Sequence, residues 1–227
     1  MKMTKTILAL STLVMLPVAS LAADLPAFSA TYNVSADGFK GSATRTLTKS
    51  GNSYKYRVSG SAAKVANLSQ EANFSLSNNQ IVPNNAQMSA KILGIGNTHS
   101  IKFNNAAKTV VSTYKGKSKT LNMSRQAYDD LSMEAQIRQE LINGKFSGSY
   151  HLVKKNEIEV TKFKKAGNSK ITVPAGTYEV IRIDRIHHDT DRATSFWLAP
   201  QLNYLPVKVS QIADGKVISM ELSRVNQ

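Results

Sequence analysis

The sequence predicts a mainly β protein, a single antiparallel, strongly curved sheet or half-open barrel that cradles one α-helix at about residues 130–143. Three observations predict it. Apolar residues recur at every second position in run after run, the period of strands with one buried face. Turn pairs rich in Gly, Asn and Asp separate those runs. One segment alone shifts to a helical period, and it carries two apolar stripes where a helix lying on a flat sheet needs one.

The first element is a targeting signal. Lys2 and Lys5 form a positive start, Ile7 to Leu16 an apolar stretch, Pro17 ends its helix, and Ser20-Leu21-Ala22 offers the small residues of a cleavage site. Cleavage is expected before Ala23 or Asp24. The apolar run is shorter than the ~20 residues that a bilayer core demands, and no later stretch is long and apolar enough to span one. Residues 1–22 are thus read as a signal peptide, and 23–227 as one β-rich periplasmic domain without a transmembrane segment. Loss of Lys2 and Lys5 lowers the formal charge from +14 to +12.

The strands follow in order. Phe28, Ala30, Tyr32, Val34 and Ala36 alternate with polar neighbours, and so do Tyr54, Tyr56, Val58, Gly60 and Ala62. Shorter stretches repeat the pattern at Ala72/Phe74/Leu76, Met88/Ala90/Ile92, Ile101/Phe103 and Ile218/Met220/Leu222. Asp37-Gly38, Gly51-Asn52, Asn104-Asn105, Gly167-Asn168 and Asp214-Gly215 mark the expected hairpin turns. No Gly-rich phosphate loop follows a strand and no βαβ rhythm appears, which argues against a nucleotide-binding fold.

The helix is expected to be capped by Asp130 and stopped by Asn143-Gly144. At ~100° per residue, Leu131, Ala135 and Ile142 form one apolar stripe and Met133, Ile137 and Leu141 the other. Glu134 and Arg138 fall between the stripes, while Ser132, Gln136, Gln139, Glu140 and Asn143 fill a polar arc. Two stripes imply a helix touched by the sheet on both flanks. The Glu134/Arg138 spacing reads as a helix-surface ion pair of ~0.3–0.5 kcal/mol or as a polar pair at the bottom of an apolar groove.

Composition removes several classes of function. The absence of Cys excludes a disulfide scaffold, a thiolate metal site, a Cys nucleophile and a lipid-bearing N-terminal Cys. Lys102, Lys108, Lys115, Lys117 and Lys119 form one basic run, and Lys154, Lys155, Lys162, Lys164, Lys165 and Lys170 another. Neither has the interleaved Arg and aromatics of a base-stacking surface, so no nucleic acid partner is expected. These lysines suit solvated faces and protected sheet edges, or attraction to envelope polyanions. The segment His187-His188-Asp189-Thr190-Asp191, with Asp184 nearby, is the one arrangement resembling a metal site. It lacks the spacing of a zinc enzyme and reads as a polar hairpin loop. No serine sits in G-x-S-x-G, and the Asp129-Asp130 pair is accounted for by helix capping. No catalytic residue, metal or cofactor is expected.

Two C-terminal blocks are more specific. Val173-Pro174-Ala175-Gly176-Thr177-Tyr178-Glu179-Val180-Ile181-Arg182-Ile183 reads as a turn launching a strand. In Phe196-Trp197-Leu198-Ala199-Pro200-Gln201-Leu202-Asn203-Tyr204-Leu205-Pro206-Val207-Lys208-Val209, Trp197 starts a strand and Pro200 breaks it, and Leu205-Pro206 re-enters the sheet at an edge. With the Phe28–Ser35 strand and the Asp130-Leu131-Ser132-Met133 helix start, these blocks resemble an exported bacterial envelope family known only as a domain of unknown function (DUF 3108 type), over roughly Pro26 to Leu222. The resemblance implies a periplasmic location in a Gram-negative bacterium and carries over no catalytic residues. The Trp-Leu-Ala-Pro to Leu-Pro-Val-Lys block is also loosely similar in architecture to periplasmic lipoprotein carriers, although this chain offers one helix where those use several.

The expected function is non-enzymatic periplasmic binding of an apolar or amphiphilic envelope molecule, a lipid for instance, or of a partner protein. The candidate ligand-binding residues are Tyr32, Tyr56, Phe74, Met133, Ile137, Leu141 and Trp197, with Arg138 for an anionic headgroup. Two alternatives stand beside it: a basic scaffold that engages anionic envelope components or a protein partner, and a metal-dependent hydrolase using the His187–Asp191 loop.

Overall fold

The computed structural model describes residues 24–62, 66–92 and 95–226; the expected signal peptide at 1–22 lies outside them. Eight strands come first: β1 (Phe28–Ala36), β2 (Phe39–Ser50), β3 (Ser53–Ala62), β4 (Ala66–Ser77), β5 (Gln80–Ile92), β6 (Ile95–Asn104), β7 (Thr109–Tyr114) and β8 (Lys117–Asn122). A two-residue strand, β9 (Ala127–Tyr128), leads into α1 (Asp130–Ile142). The chain returns through β10 (Ser149–Val153), β11 (Ile158–Val173), β12 (Gly176–Ile186), β13 (Ala193–Ala199), β14 (Leu205–Ala213) and β15 (Lys216–Asn226).

All fifteen strands belong to one sheet, in the order β8-β7-β6-β5-β4-β3-β2-β1-β15-β14-β13-β12-β11-β10-β9. Neighbours are antiparallel except β9 and β10. The sheet therefore consists of two meanders joined where β1 lies beside β15. It curls without closing. Its edges approach each other where the Ser112 hydroxyl of β7 bonds the carbonyls of Lys154 and Lys155 after β10 (3.2 and 2.8 Å). Lys117 and Lys119 stand exposed on the edge strand β8, where charge deters pairing with another sheet.

Turn chemistry follows the expectation at four of the five pairs. Asp37-Gly38 and Asp214-Gly215 both have positive φ at each residue, as a tight hairpin requires. Gly51-Asn52 links β2 to β3, and Asn104-Asn105 opens the β6–β7 connection. Gly167-Asn168 is different. It lies inside the long strand β11, where the register with β12 slips between Lys165 and Gly167. Gly167 takes φ +122°, so the Gly serves a bulge that bends the strand, and Pro174-Ala175 makes the turn. Two further boundaries differ. The strand around Trp197 begins at Ala193. Pro206 lies on β14, which is interior; its missing donor is tolerated because the register with β13 shifts there and pairing with β15 begins only at Lys208.

The helix sits inside the curl. It packs mainly on β4 and β5 from one side and on β9 and β10 from the other, the two-flank contact that its paired stripes imply. Its cap is Asp129, one residue before the expected Asp130: the Asp129 carboxylate accepts from the amides of Leu131 (2.9 Å) and Ser132 (3.2 Å), and the Ser132 hydroxyl accepts from the Asp129 amide. The expected polar arc is not a solvent face. Ser132, Gln136 and Gln139 are buried. Gln136 accepts from the Ile81 amide at the start of β5 (2.8 Å) and donates to Glu140, which in turn accepts from Tyr150 (2.7 Å). Short polar side chains can enter a core when sheet groups complete their hydrogen bonds.

Burial raises the Asp129 carboxyl from 3.8 to about 6, with Asp130 adding to it against the bonds from Ser132 and Leu131. A carboxyl with a raised folded value favours the native state fully below 3.8 and loses that contribution as pH rises through about 6. Asp129→Asn keeps a cap of equal quality without the charge. Thermal melts across this window should show a flatter pH dependence for the variant, and a melting temperature at neutral pH no lower than that of the parent.

Candidate ligand groove

The helix leaves the β11–β15 side of the concavity less filled, and a groove of about 420 Å³ opens there. Val58, Leu68 and Met88 form one wall, on β3, β4 and β5. Phe163, Ile183, Phe196, Leu198 and Val209 form the opposite wall, on β11 to β14. Met133 and Ile137 of α1 line it from the helix side, and Met220 adds to the β15 edge. Three of the seven methionines thus face one cavity, and unbranched thioethers adapt readily to differing apolar shapes. Lys154, Arg185, Gln70 and Gln211, all at least partly exposed, surround the mouth. Glu159 holds Arg185 (2.7 Å) and Lys154 (3.6 Å) there.

A buried charge cluster closes the deep end. Arg45 shares the inner face of β2 with Ala43 and Leu47 and reaches both the groove and the helix. It pairs with Glu134, and its guanidinium also donates to the Tyr56 hydroxyl. Tyr56 donates to the other Glu134 oxygen at 2.6 Å. The expected partnership of Glu134 with Arg138 is replaced by one across the fold, because β2 brings a second guanidinium against the same carboxylate. Arg138, only 1% exposed, instead bonds the Asn203 carbonyl (3.2 Å) and stacks 4.7 Å from the Phe28 ring centre. Arg45 Nε and Arg138 Nη1 are buried without hydrogen-bond partners.

Burial works against the charge on Arg45, but Glu134, Tyr56 and Tyr32 hold its guanidinium above its ordinary value. Burial pulls Arg138 down, opposed by Tyr56 and Glu134. Both remain cations at neutral pH, since a guanidinium does not deprotonate in proteins. Burial pushes Tyr32 up to about 12 and Tyr56 well above its usual value, so both phenols stay neutral. Two cations therefore lie near one anion, a net positive charge, and of the two Arg45 lines the groove.

Of the eight expected ligand residues, the structure places Met133 and Ile137 on the groove wall. Tyr32, Tyr56, Phe74 and Leu141 are buried within packed clusters, where alternating inner-face side chains meet one another. Arg138 lies off the groove in the charge cluster, and Trp197 is half-buried beside the cations of Arg182 and Lys208. Arg45 is the functional candidate that pattern reading passed over. Its signal was present: a lone Arg in step with Ala43 and Leu47 has to lie on the buried face. The His187–Asp191 segment forms the loop joining β12 to β13, with His187 Nε2 3.0 Å from Thr194 Oγ1. Among the described residues, no three His, Asp or Glu side chains are grouped to hold a metal.

Removing Glu134 as Ala strands Arg45 in the interior, and the loss of stability should be about 3–5 kcal/mol by chemical denaturation. Ile137→Asp puts a carboxylate on a helix face that is 5% exposed, and its melting temperature should fall clearly below that of the parent.

The fold has a counterpart among solved structures. A β-barrel-like protein of domain of unknown function DUF1849 from Brucella abortus superposes with a TM-score of 0.57 at 10% identity, covering 89% of this chain and 99% of its own. That likeness concerns the fold alone. No curated protein matches the sequence significantly. The family described as protein of unknown function (DUF3108) matches residues 28–223, nearly the whole of the sheet and its helix, and the chain belongs to that family.

Proposed function

We propose that this protein is a non-enzymatic binding protein of the bacterial periplasm, exported by the signal at 1–22, whose ligand is an amphiphile with one apolar chain and an anionic group. The groove carries this reading: an open cavity of about 420 Å³ with aliphatic, aromatic and methionine walls ends on Arg45. Small-molecule pockets have volumes of ~300–1,000 Å³, mostly apolar walls and a few convergent polar groups. The apolar chain lies between Ile137, Phe163 and Leu198, and the anionic group competes with Glu134 for Arg45. Neither the family nor the structural neighbour carries an enzymatic assignment. A second reading, a basic scaffold for anionic envelope components, draws on the exposed lysines of β8 and β11.

Met220 is half-buried at the groove edge, so Met220→Trp fills the cavity while leaving the helix contacts intact. A fluorescent fatty acid should bind the parent and be displaced by unlabelled anionic amphiphiles in preference to neutral ones of equal chain length. The variant should bind about tenfold more weakly, or worse, with an unchanged melting temperature. Equal affinity in both proteins would place the ligand elsewhere. Native mass spectrometry of gently purified periplasmic protein should detect the natural occupant.

A further inference from the structure

The exposed apolar residues are unevenly distributed. Nine large apolar side chains are exposed among the described residues: Phe39, Met88, Ile95, Val160, Ile186, Ile212, Val217, Ile218 and Val225. Hairpin connectivity puts seven of them near one end of the sheet, the end where β1 turns into β2, β12 into β13 and β14 into β15. Strand alternation turns Phe39, Ile95 and Ile218 to the inner face there and Val160, Ile186, Ile212 and Val217 to the outer one. Single exposed apolar residues are ordinary, whereas several along one rim mark a contact surface.

The register shows that this end continues the groove. Directly paired residues of an antiparallel sheet share a face. Arg185 pairs with Thr194, Thr194 with Gln211, Gln211 with Ile218, Ile218 with Ala36, and Ala36 with Phe39. The first three line the groove. Ile218 and Phe39 therefore extend the same inner face outward to the rim, where Phe39 is 60% exposed. Lysines flank this rim: Lys40 follows Phe39, Lys216 lies two residues before Ile218, and Lys91 pairs with Gly96 beside Ile95. Beside the rim, Asp37 and Asp214 occupy positive-φ turn positions that favour Asp over most residues, and the other acids of this end, Glu157, Asp189 and Asp191, lie in the β10–β11 and β12–β13 loops, where Lys154, Lys155 and Arg192 accompany them.

We propose that this hairpin rim docks on an anionic lipid bilayer, with Phe39, Ile95 and Ile218 entering the headgroup boundary and Lys40, Lys91 and Lys216 meeting the lipid charge. Apolar side chains ringed by lysine are the chemistry that an anionic membrane surface recognises, and the basic balance of the chain supports the approach. The groove mouth would then open directly onto the lipid. The docking surface goes beyond the ligand reading and does not depend on it.

Flotation of the mature protein with phosphatidylglycerol vesicles tests it, with phosphatidylcholine vesicles as the comparison. Binding is expected to the anionic vesicles only, weakening with salt. Phe39→Ser combined with Ile218→Ser should reduce it about tenfold or more, and Lys40→Glu with Lys216→Glu should abolish it. Phe39→Trp, which preserves an aromatic rim should the serine pair fail to fold, should become quenched by brominated acyl chains on binding. Absence of vesicle binding would overturn the proposal. So would an unquenched Phe39→Trp on bound vesicles, or binding that survives the rim changes and is lost when Lys117 and Lys119 of β8 are reversed. Self-association through the rim, seen by sedimentation without vesicle binding, would assign the patch to a second copy of the chain instead. Met220→Trp separates the two ideas: it should lose the fatty acid yet still float with vesicles.

Discussion

A helix held inside a curled sheet cannot leave most of its polar groups to water, and that constraint organises this protein. Buried donors and acceptors on α1 are costly unless the sheet or the helix's own turn meets them, and Arg138 Nη1 is an exception. The cross-fold pairing of Glu134 with Arg45 is the most demanding case, because an unpaired charge at that depth is far more costly than a paired one. Such a pair adds little net stability over apolar packing, since desolvation offsets its Coulomb attraction. What it supplies is position. The carboxylate fits only where β2 and β3 present Arg45 and Tyr56 together, which fixes the rotation of the helix within the curl.

The sheet meets this demand by bending. Register slips on β5, β11, β14 and β15 interrupt the ladders, and the two ends of the sheet come near each other where Ser112 of β7 meets the carbonyls after β10. The helix lies nearer the β4–β5 wall and the short strands β9 and β10, so the far wall from β11 to β15 stands off from it. The groove is the space between. Its apolar lining is the ordinary inner face of an alternating sheet, left uncovered over part of its width. A cavity here thus needs no separate motif, only a helix too slender to fill the bend.

Most of the architecture was legible because it rests on local rules. Period-two alternation marked the strands, two stripes at helical spacing marked an enclosed helix, and Asp-Gly pairs marked turns with positive φ. Where these rules met tertiary context they misplaced things. Gly167 looks like a turn residue and serves a bulge, because both uses exploit the same backbone freedom. Ser132, Gln136 and Gln139 look like a solvent face because their types are polar, yet each lies buried. The site was harder to read still. An inner-face parity rule groups Tyr32, Phe74 and Phe163 without distinction, and only the curvature decides which of them faces packed neighbours and which faces open space.

By itself, the sequence determined the class of fold, the number of α-helices, four of the five turns it marked and the strongly basic balance, all of them properties carried by neighbours along the chain. The choice of Arg45 over Arg138 as the partner of Glu134, the division of apolar residues between core and groove, and the gathering of Phe39 and Ile218 at the rim came from the tertiary structure alone. Each depends on distances between residues far apart in the chain, and such distances follow from how far the sheet curls, a quantity set by the sum of many small twists and bulges and written in no single segment.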